Sequence, residues 1–174
     1  MQPATYTTQW RLLLSALAVV GVFSGGAVSA QDREAAFLAK QTNDCPGCNL
    51  VGASLKRRNL AGANLSGANL EEASFHKADL RRANFAGARL AFANFNRANV
   101  TSANFQQADL SDAMFFAADA SAANFTGANL DHALMGNVRL VRTNLERANL
   151  VSADLGGARL TDANLARATL TGAD

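Results

Sequence analysis

The sequence predicts an all-β solenoid, and a five-residue repeat is the main observation behind this prediction. From Leu50 to Leu170 every fifth residue is Leu, Phe, Val, Met or Ala, without a break in register. The residue two places earlier is usually Ala, and the one directly before is usually Asn or Asp, as in Ala63-Asn64-Leu65. A period of five matches neither the helical period of about 3.6 nor the strand period of two. We therefore expect a chain that turns a corner once in every five residues.

The strict period also excludes a helical reading of the composition. Ala and Leu supply much of the apolar content, and both favour helices on intrinsic propensity. In a helix, however, residues five apart are rotated by about 140° from one another, so the repeated Leu would wind around the whole cylinder. A helix could not bury them on one face.

Residues 1–30 differ from the repeat and have the pattern of a secretory signal peptide. Arg11 precedes an apolar run over Leu12–Val22, and the small residues of Val28–Ala30 offer a cleavage site. We expect cleavage after Ala30 and export, to the periplasm. A retained membrane anchor is the alternative, although the run is short for a membrane span and Gly25-Gly26 interrupts its end.

The net charge argues against two classes of partner. The chain has 16 basic and 14 acidic residues, and Arg11 is the one charged residue among the first thirty. Such a balance gives no long-range attraction to nucleic acid or to an anionic membrane. We expect no nucleic-acid partner and, once the signal peptide is removed, no stable membrane insertion.

Residues 31–44 predict a capping helix. Asp32 occupies the N-cap position of a helix over Asp32–Thr42, Glu34 lies in its first turn, and Phe37 gives it an apolar side. The first coil of a repeat stack has a bare end that needs covering. We therefore expect this segment to cover the N-terminal end of the solenoid.

The repeats over residues 48–174 resemble the pentapeptide-repeat family. The resemblance implies a right-handed quadrilateral parallel β-helix, in which four repeats form one coil of twenty residues. It also implies that the central Leu or Phe and the small residue two before it point inward, and that the other three point outward. We expect about six coils over residues 45–174.

The spacing of twenty supports this coil independently of the resemblance. When the central residues are sorted into four columns, every central Phe falls in the second or the fourth column, on opposite sides of a square coil. Rings stacked along one side would lie about 4.8 Å apart, the spacing of paired strands. Ala120 lies between Phe115 and Phe125, which compensates for their volume.

The glycines indicate the conformation of the corners. A corner that needs positive φ favours Gly two places after the central residue. Glycines at that position are Gly52, Gly62, Gly67, Gly87, Gly127, Gly157 and Gly172. Arg58, Val138 and Thr143 stand where Ala is expected, so the coils around them are the least regular part of the prediction.

Cys45 and Cys48 form a Cys-Pro-Gly-Cys motif with three candidate roles. In the first role the pair is structural and lies at the junction of cap and coil, either reduced or bridged by a disulfide. In the second the pair exchanges disulfides, and in the third it binds a metal. Counting back by fives puts both thiols at inward positions, which favours the structural role. A thioredoxin-like redox site would accompany a βαβ pattern, which the sequence does not show. A zinc site needs about four ligands, and the two histidines, His76 and His132, lie far along the rod.

A second group of residues predicts a partner surface. Met114, Phe116 and Leu134 are apolar at positions that should face outward, and Lys77 and Arg97 lie beside them. An exposed apolar patch next to basic residues marks interaction sites. The alternative is that these apolar residues are scattered and are shielded by a local distortion near Leu134.

The last coil gives a further expectation about assembly. The sequence stops inside a repeat at Ala173-Asp174, and an uncovered strand edge tends to pair with another chain. We expect a homodimer formed end to end through the C-terminal coil.

Together these features predict a non-enzymatic, exported rod that serves as a rigid scaffold for an unknown protein partner. We find no catalytic motif, and we expect no cofactor, no metal and no small-molecule substrate. The alternative is a periplasmic thiol–disulfide or metal-binding protein that uses Cys45 and Cys48. Members of the family that imitate DNA need a strongly acidic surface, which this composition does not supply.

Overall fold

The computed structural model describes residues 28–174, so most of the predicted signal peptide lies outside the described residues. One helix, α1 (Ala30–Leu38), precedes a right-handed quadrilateral β-helix. Each side of a coil contributes a single β-bridge, not a longer strand. The bridges are all parallel and join residues twenty apart, from Asn49↔Asn69 to Asn149↔Thr169. The predicted coil of four repeats is therefore confirmed.

We number the four sides by their central residues. Side one holds Leu50, side two Leu55, side three Leu60 and side four Leu65, and the numbering repeats every twenty residues. These central residues are buried along the rod up to Leu150, as are most of the Ala residues that precede them by two. The interior is thus a continuous apolar core with one layer for each coil.

The phenylalanines form two stacked ladders, as the columns predicted. On side two the rings of Phe75 and Phe95 have centroids 4.8 Å apart, and on side four those of Phe85 and Phe105 are 4.9 Å apart. The two ladders meet across the interior edge to face, with centroids 5.6 Å apart for Phe75 and Phe85. Both stacked and edge-to-face pairs are favourable for aromatic rings.

Each corner is a β-turn whose third residue has a positive φ. In the first corner after Leu50 the N–H of Ala53 donates to the carbonyl of Leu50 at 3.1 Å, and Gly52 has a φ of 66°. All corners from residue 47 to residue 172 share the positive φ, but eight of these residues are Gly and 18 are not. The positive φ of the corners was predicted correctly. That residues other than Gly occupy most of the corners was not predicted.

The Asn and Asp residues before the central positions complete these turns. Asn99 accepts the N–H of Thr101 at 3.0 Å, and Asn64 accepts that of Ser66 at 3.2 Å. Such Asx turns satisfy a backbone donor that the coil geometry leaves free. On side four the amides also bond along the rod, because Asn104 donates to Asn84 at 3.1 Å.

Three residues stand where Ala is expected two places before a central residue, and the structure accommodates each of them differently. Thr143 is buried, and its hydroxyl donates to the carbonyl of Ala120 at 2.9 Å, so the larger residue packs beside the smallest central one. Val138 is also fully buried. Arg58 belongs to the N-terminal cap, where its guanidinium lies 4.5 Å from the centroid of the Phe37 ring.

The capping helix differs from its predicted bounds. Its N-cap is Ser29, not Asp32, because the Ser29 hydroxyl accepts the N–H of Asp32 at 3.1 Å. The helix ends at Leu38, before Thr42, because Lys40 adopts a φ of 61° and its N–H donates to the carbonyl of Phe37 at 3.0 Å. A left-handed residue after a helix is usually Gly. Because Lys stands at position 40, the sequence did not indicate that the helix ends at Leu38.

Candidate interaction surface and cysteine pair

The Cys-Pro-Gly-Cys motif forms the first corner of the β-helix. The N–H of Cys45 donates to the carbonyl of Asn64 at 2.8 Å, the bond that a central residue makes with the next coil. Pro46 and Gly47 then occupy the two turn positions, and Gly47 has a φ of 68°. Pro followed by Gly is the preferred sequence for a turn with a left-handed third residue. The motif is therefore a corner in which Cys replaces both inward-facing residues.

The structure joins Cys45 to Cys48 by a disulfide with 5.5 Å between the Cα atoms. Both residues are fully buried in the apolar core beside Phe37. Among residues 28–174 there is no group of three or more His, Cys, Asp or Glu residues that could hold a metal ion. The surroundings of the pair are those of a structural crosslink, because redox exchange requires an accessible sulfur.

The residues of the cap supply hydrogen bonds that a preceding coil would otherwise supply. The Glu34 carboxylate accepts the N–H of Asn49 at 2.7 Å, and the Asp44 carboxylate accepts that of Asn64 at 2.7 Å. Arg58 donates to the carbonyl of Phe37 at 3.0 Å, and its burial lowers the pKa of the guanidinium. Several side chains thus cover the first coil in addition to α1.

The five residues predicted as a partner surface form one continuous strip along side two and its corner with side three. Met114 and Leu134 are bridged on adjacent coils, as their spacing predicted. The N–H of Arg97 donates to the carbonyl of Phe116 at 3.0 Å, and Lys77 occupies the same corner one coil earlier. Phe116 is 46% exposed and Leu134 is 50% exposed. We call these five residues the side-two strip.

The apolar residues of the side-two strip replace a useful hydrogen-bond acceptor. Met114 stands where Asn or Asp elsewhere accepts the N–H of the residue two places on. Here the N–H of Phe116 instead donates to Asn96 of the adjacent coil at 2.8 Å. The ordinary Asx turn is therefore lost at Met114, and a second residue compensates for it.

The ring of Phe116 is partly supported by the next coil. A Cβ atom built on Gly136 would lie 3.4 Å from Cδ2 of Phe116, so the glycine leaves room for the ring. The backbone along the strip keeps the ordinary hydrogen bonds between coils, including that from the N–H of Phe115 to the carbonyl of Leu134 at 2.7 Å. A distortion that would shield Leu134 is thus not found, and the side chain remains half exposed.

One exposed aromatic residue was not included in the predicted surface. Phe92 is 55% exposed and lies at the corner between sides one and two. The signal was the same one that identified Phe116, namely a large apolar residue at an outward position. Side two therefore has an exposed phenylalanine at each of its edges, Phe92 and Phe116.

The carboxylates along the rod serve structural roles where their contacts are defined. The Arg81 guanidinium donates to Asp79 at 2.8 and 2.6 Å, and this pairing lowers the pKa of the Asp79 carboxyl and raises that of Arg81. A carboxyl with a lowered pKa is a poor general acid near neutral pH. Asp109 and Asp119 accept turn N–H groups from Ser111 and Ser121.

The helix content gives no candidate for a membrane span in the described part of the chain. Within residues 28–174 no helix has both the length and the apolar character that crossing a bilayer requires. The apolar run over Leu12–Val22 lies outside this range.

Comparison with known proteins relates the chain to solved repeat structures. HetL, a pentapeptide repeat protein involved in heterocyst differentiation regulation from the cyanobacterium Nostoc sp. strain PCC 7120, is 27% identical, with 75% of this chain and 76% of that chain covered and a TM-score of 0.39. Full-length QnrB1, a plasmid-mediated fluoroquinolone resistance protein, is 24% identical over 75% and 74%, with a TM-score of 0.41. A pentapeptide repeat protein from the Arabidopsis thaliana thylakoid lumen is 26% identical over 80% and 78%, with a TM-score of 0.33.

The family assignment comes from a different comparison. No protein of curated function matches the chain. The family model described as pentapeptide repeats matches in eight copies, over residues 48–87, 83–119, 93–131, 123–162 and 139–174. These matches cover the whole β-helix after its first corner. The chain belongs to the pentapeptide-repeat family.

Proposed function

We propose that this protein is an exported, non-enzymatic rod that binds a protein partner through the side-two strip. The β-helix provides a rigid support, because hydrogen bonds between adjacent coils recur on all four sides. Rigid repeat proteins present long surfaces on which a partner's contacts are fixed in advance. Such preorganisation reduces the entropy that binding would otherwise lose.

The replacement of Asn or Asp by Met114 and Leu134 is the observation that carries this proposal. At this register position Asn and Asp complete a turn, so an apolar residue there loses a local hydrogen bond. It also places apolar surface in water, since Leu134 is 50% exposed. Residues that break a local folding rule without a structural gain are expected at functional sites. Lys77 and Arg97 would supply the polar rim of such an interface.

Export is the second part of the proposal, and it rests on the sequence of the first thirty residues. Cleavage after Ala30 would remove Ser29, the N-cap of α1. Asp32 would then remain in the first turn, where a carboxylate favours the helix N-terminus. The buried disulfide between Cys45 and Cys48 fits an oxidising compartment. Its position in the first corner supports a structural role over thiol–disulfide exchange.

A photo-crosslinking experiment tests the partner surface. A photoreactive phenylalanine analogue is placed at position 116 in the native host, and at position 107 on the corner between sides four and one in a control. We expect a discrete adduct from position 116 and none from position 107. The triple variant Met114→Asn, Phe116→Ser, Leu134→Asn should reduce copurification of the same partner by about tenfold or more, because hot-spot residues dominate interfaces.

The triple variant is designed to preserve the fold. Asn at positions 114 and 134 supplies the turn acceptor that Asn supplies elsewhere, so we expect its free energy of unfolding to change by less than about 1 kcal/mol. A matched control replaces Asn104 and Asn124 of side four by Ser, which should leave the adduct unchanged. Full copurification of the partner by the triple variant, with equal stability, would refute the proposed surface.

We also propose that the C-terminal coil forms a homodimer. In this coil the N–H groups of Leu160, Leu165 and Leu170 make no backbone hydrogen bond, although their equivalents in earlier coils bond to the next coil. The carbonyls of Ala158 and Ala163 likewise have no backbone donor. One end thus offers both donors and acceptors, which makes it complementary to a second copy of itself.

A further inference from the structure

One face of the β-helix is strongly basic, although the net charge of the whole chain is close to zero. The windows 56–62, 76–82 and 96–102 hold side three and its two corners on three successive coils. They contain seven basic residues and one acidic residue, a net charge of +6. The rest of residues 28–174 holds eight basic and 13 acidic residues, a net charge of −5. The coil register therefore sorts the charges onto different sides.

Six of the seven basic side chains are exposed. We call them the basic face: Lys56, Arg57, Lys77, Arg81, Arg82 and Arg97. Arg81 alone among them pairs with a carboxylate within the described residues, that of Asp79. The seventh, Arg58, is held by Phe37 in the cap and takes no part. Five positive charges on this face are thus left uncompensated by any ion pair in residues 28–174.

The basic face is built on one side of the quadrilateral coil, bridged at Asn59↔Asp79 and Asp79↔Asn99, and it has room for anionic groups. Small residues occupy the corner positions between its basic side chains, as at Ala61 and Gly62. A shallow depression of about 440 Å³ is lined by Ala61, Gly62, Arg81, Arg82, Thr101 and Ser102. A second, of about 380 Å³, is lined by Lys40, Asn43, Lys56, Arg57, Arg58 and Asn59. Both depressions lie at the margins of the basic face.

We propose that the basic face docks onto the phosphate headgroups of an anionic lipid bilayer. The corner positions that carry these charges recur once per coil, and the stacked rings of Phe75 and Phe95 lie 4.8 Å apart on adjacent coils. Mobile lipid headgroups diffuse to match any such pattern, and a flat membrane reaches a flat face over its whole area. A nucleic-acid duplex is a cylinder, so it would contact a narrow part of this face. Basic residues close to an anionic leaflet each add to membrane affinity.

Docking in this way would orient the rod. Glu71, Glu72, Asp112 and Asp131 lie at the corner between sides one and two, away from side three. The opposed charges therefore favour a single orientation, with the rod lying along the membrane. Most of the side-two strip would remain open to a protein partner. Lys77 and Arg97 belong to both surfaces, whereas Met114, Phe116 and Leu134 are not part of the basic face.

Vesicle binding by the full chain tests this inference. Sedimentation is compared for vesicles with about 30 mol% phosphatidylglycerol in phosphatidylcholine and for phosphatidylcholine alone. We expect about tenfold or more tighter binding to the anionic vesicles, lost when salt rises from about 0.1 M to about 0.5 M because screening shortens the reach of the charges. The phosphatidylcholine vesicles report any binding by the apolar run of residues 12–22, which does not need an anionic lipid.

Two variants separate the basic face from total charge. Lys56→Gln, Arg57→Gln, Arg82→Gln removes three charges of the basic face and leaves the side-two strip intact. Arg89→Gln, Arg147→Gln, Arg167→Gln removes three charges from side one and its corner with side four. We expect about tenfold weaker binding for the first and less than about twofold for the second. The strip variant Met114→Asn, Phe116→Ser, Leu134→Asn should bind vesicles normally.

Several outcomes would overturn the inference. Equal binding to both kinds of vesicle, or equal losses in the two charge variants, would contradict a specific basic face. Displacement from vesicles by about 10 mM inorganic phosphate would indicate a site for a free anion instead, beyond what screening alone explains. Tighter binding to a short DNA duplex than to anionic vesicles would assign the face to nucleic acid.

Discussion

The corner residues carry the main conformational strain of this fold. Eighteen corner residues other than Gly have a φ between 54° and 60°. A left-handed conformation costs a residue with a Cβ about 1–2 kcal/mol. The strain persists because the N–H of each such residue bonds to the next coil up to Ser152, as from Ala122 to the carbonyl of Val141 at 2.9 Å. Strain is kept where the surrounding structure fixes the backbone.

Replacing a corner alanine with glycine should therefore stabilise the protein. Ala122→Gly relieves the left-handed strain of about 1–2 kcal/mol and loses about 0.5–1 kcal/mol to the greater freedom of Gly in the unfolded chain. The expected gain is about 0.5–1 kcal/mol in the free energy of unfolding, measured by urea titration. The reverse change, Gly62→Ala, meets no atom within 4 Å and should destabilise by a similar amount. A loss of stability in Ala122→Gly would show that the strain argument fails.

Within the coils the aromatic ladders form a continuous part of the core. Phe105 stacks on Phe85 and Phe125 with centroids 4.9 and 4.8 Å away. It also meets Phe95 and Phe115 edge to face at 5.6 and 6.1 Å. Ala120, which lies between Phe115 and Phe125, is the one Ala among the central residues from Leu50 to Leu170. Packing in a solenoid couples each coil mainly to its neighbours.

Truncating one ring should test this coupling. Phe105→Ala removes a fully buried ring with four aromatic neighbours, so we expect a loss of about 3–5 kcal/mol in the free energy of unfolding. Leu165→Ala in the same column, where the side chain is only half buried, should cost less than about 2 kcal/mol. Both values come from urea titration followed by circular dichroism. Equal losses in the two variants would contradict the role assigned to the central ladder.

How much the sequence could predict depended on whether a feature follows the period of five. The coil, its Phe columns and the inward cysteines all follow from register alone, so counting residues located them. The ends of α1 do not, because Ser29 and Lys40 act through local caps outside the period. Phe92 carried the same signal as Phe116 but stands alone in its corner column. Net charge alone does not reveal the basic face, because it sums over sides that the fold separates.

On the scale of the whole rod, sides two, three and four differ in chemistry. Side two is apolar near Met114 and Leu134, side three is basic, and side four carries a ladder of Asn amides. The N-terminal end is closed by α1 and by the corner of Cys45 and Cys48. At the opposite end the core residues Leu155 and Leu160 are only half buried, and Leu170 is 41% exposed. The two ends are therefore unequal in both covering and hydrogen bonding.

This inequality leads to a prediction about assembly. Pairing two C-terminal coils would bury Leu160, Leu165 and Leu170 and give their N–H groups acceptors, so we expect twice the monomer mass by light scattering at micromolar concentration. Leu170→Lys places a charge in that interface and should weaken the dimer by about tenfold or more, since burying an unpaired charge is costly. Leu38→Lys is a matched control on α1, where the leucine is 52% exposed at the other end. A dimer that survives Leu170→Lys but dissociates in Leu38→Lys would place the contact at the capped end, and a monomer mass for the unaltered chain would exclude it.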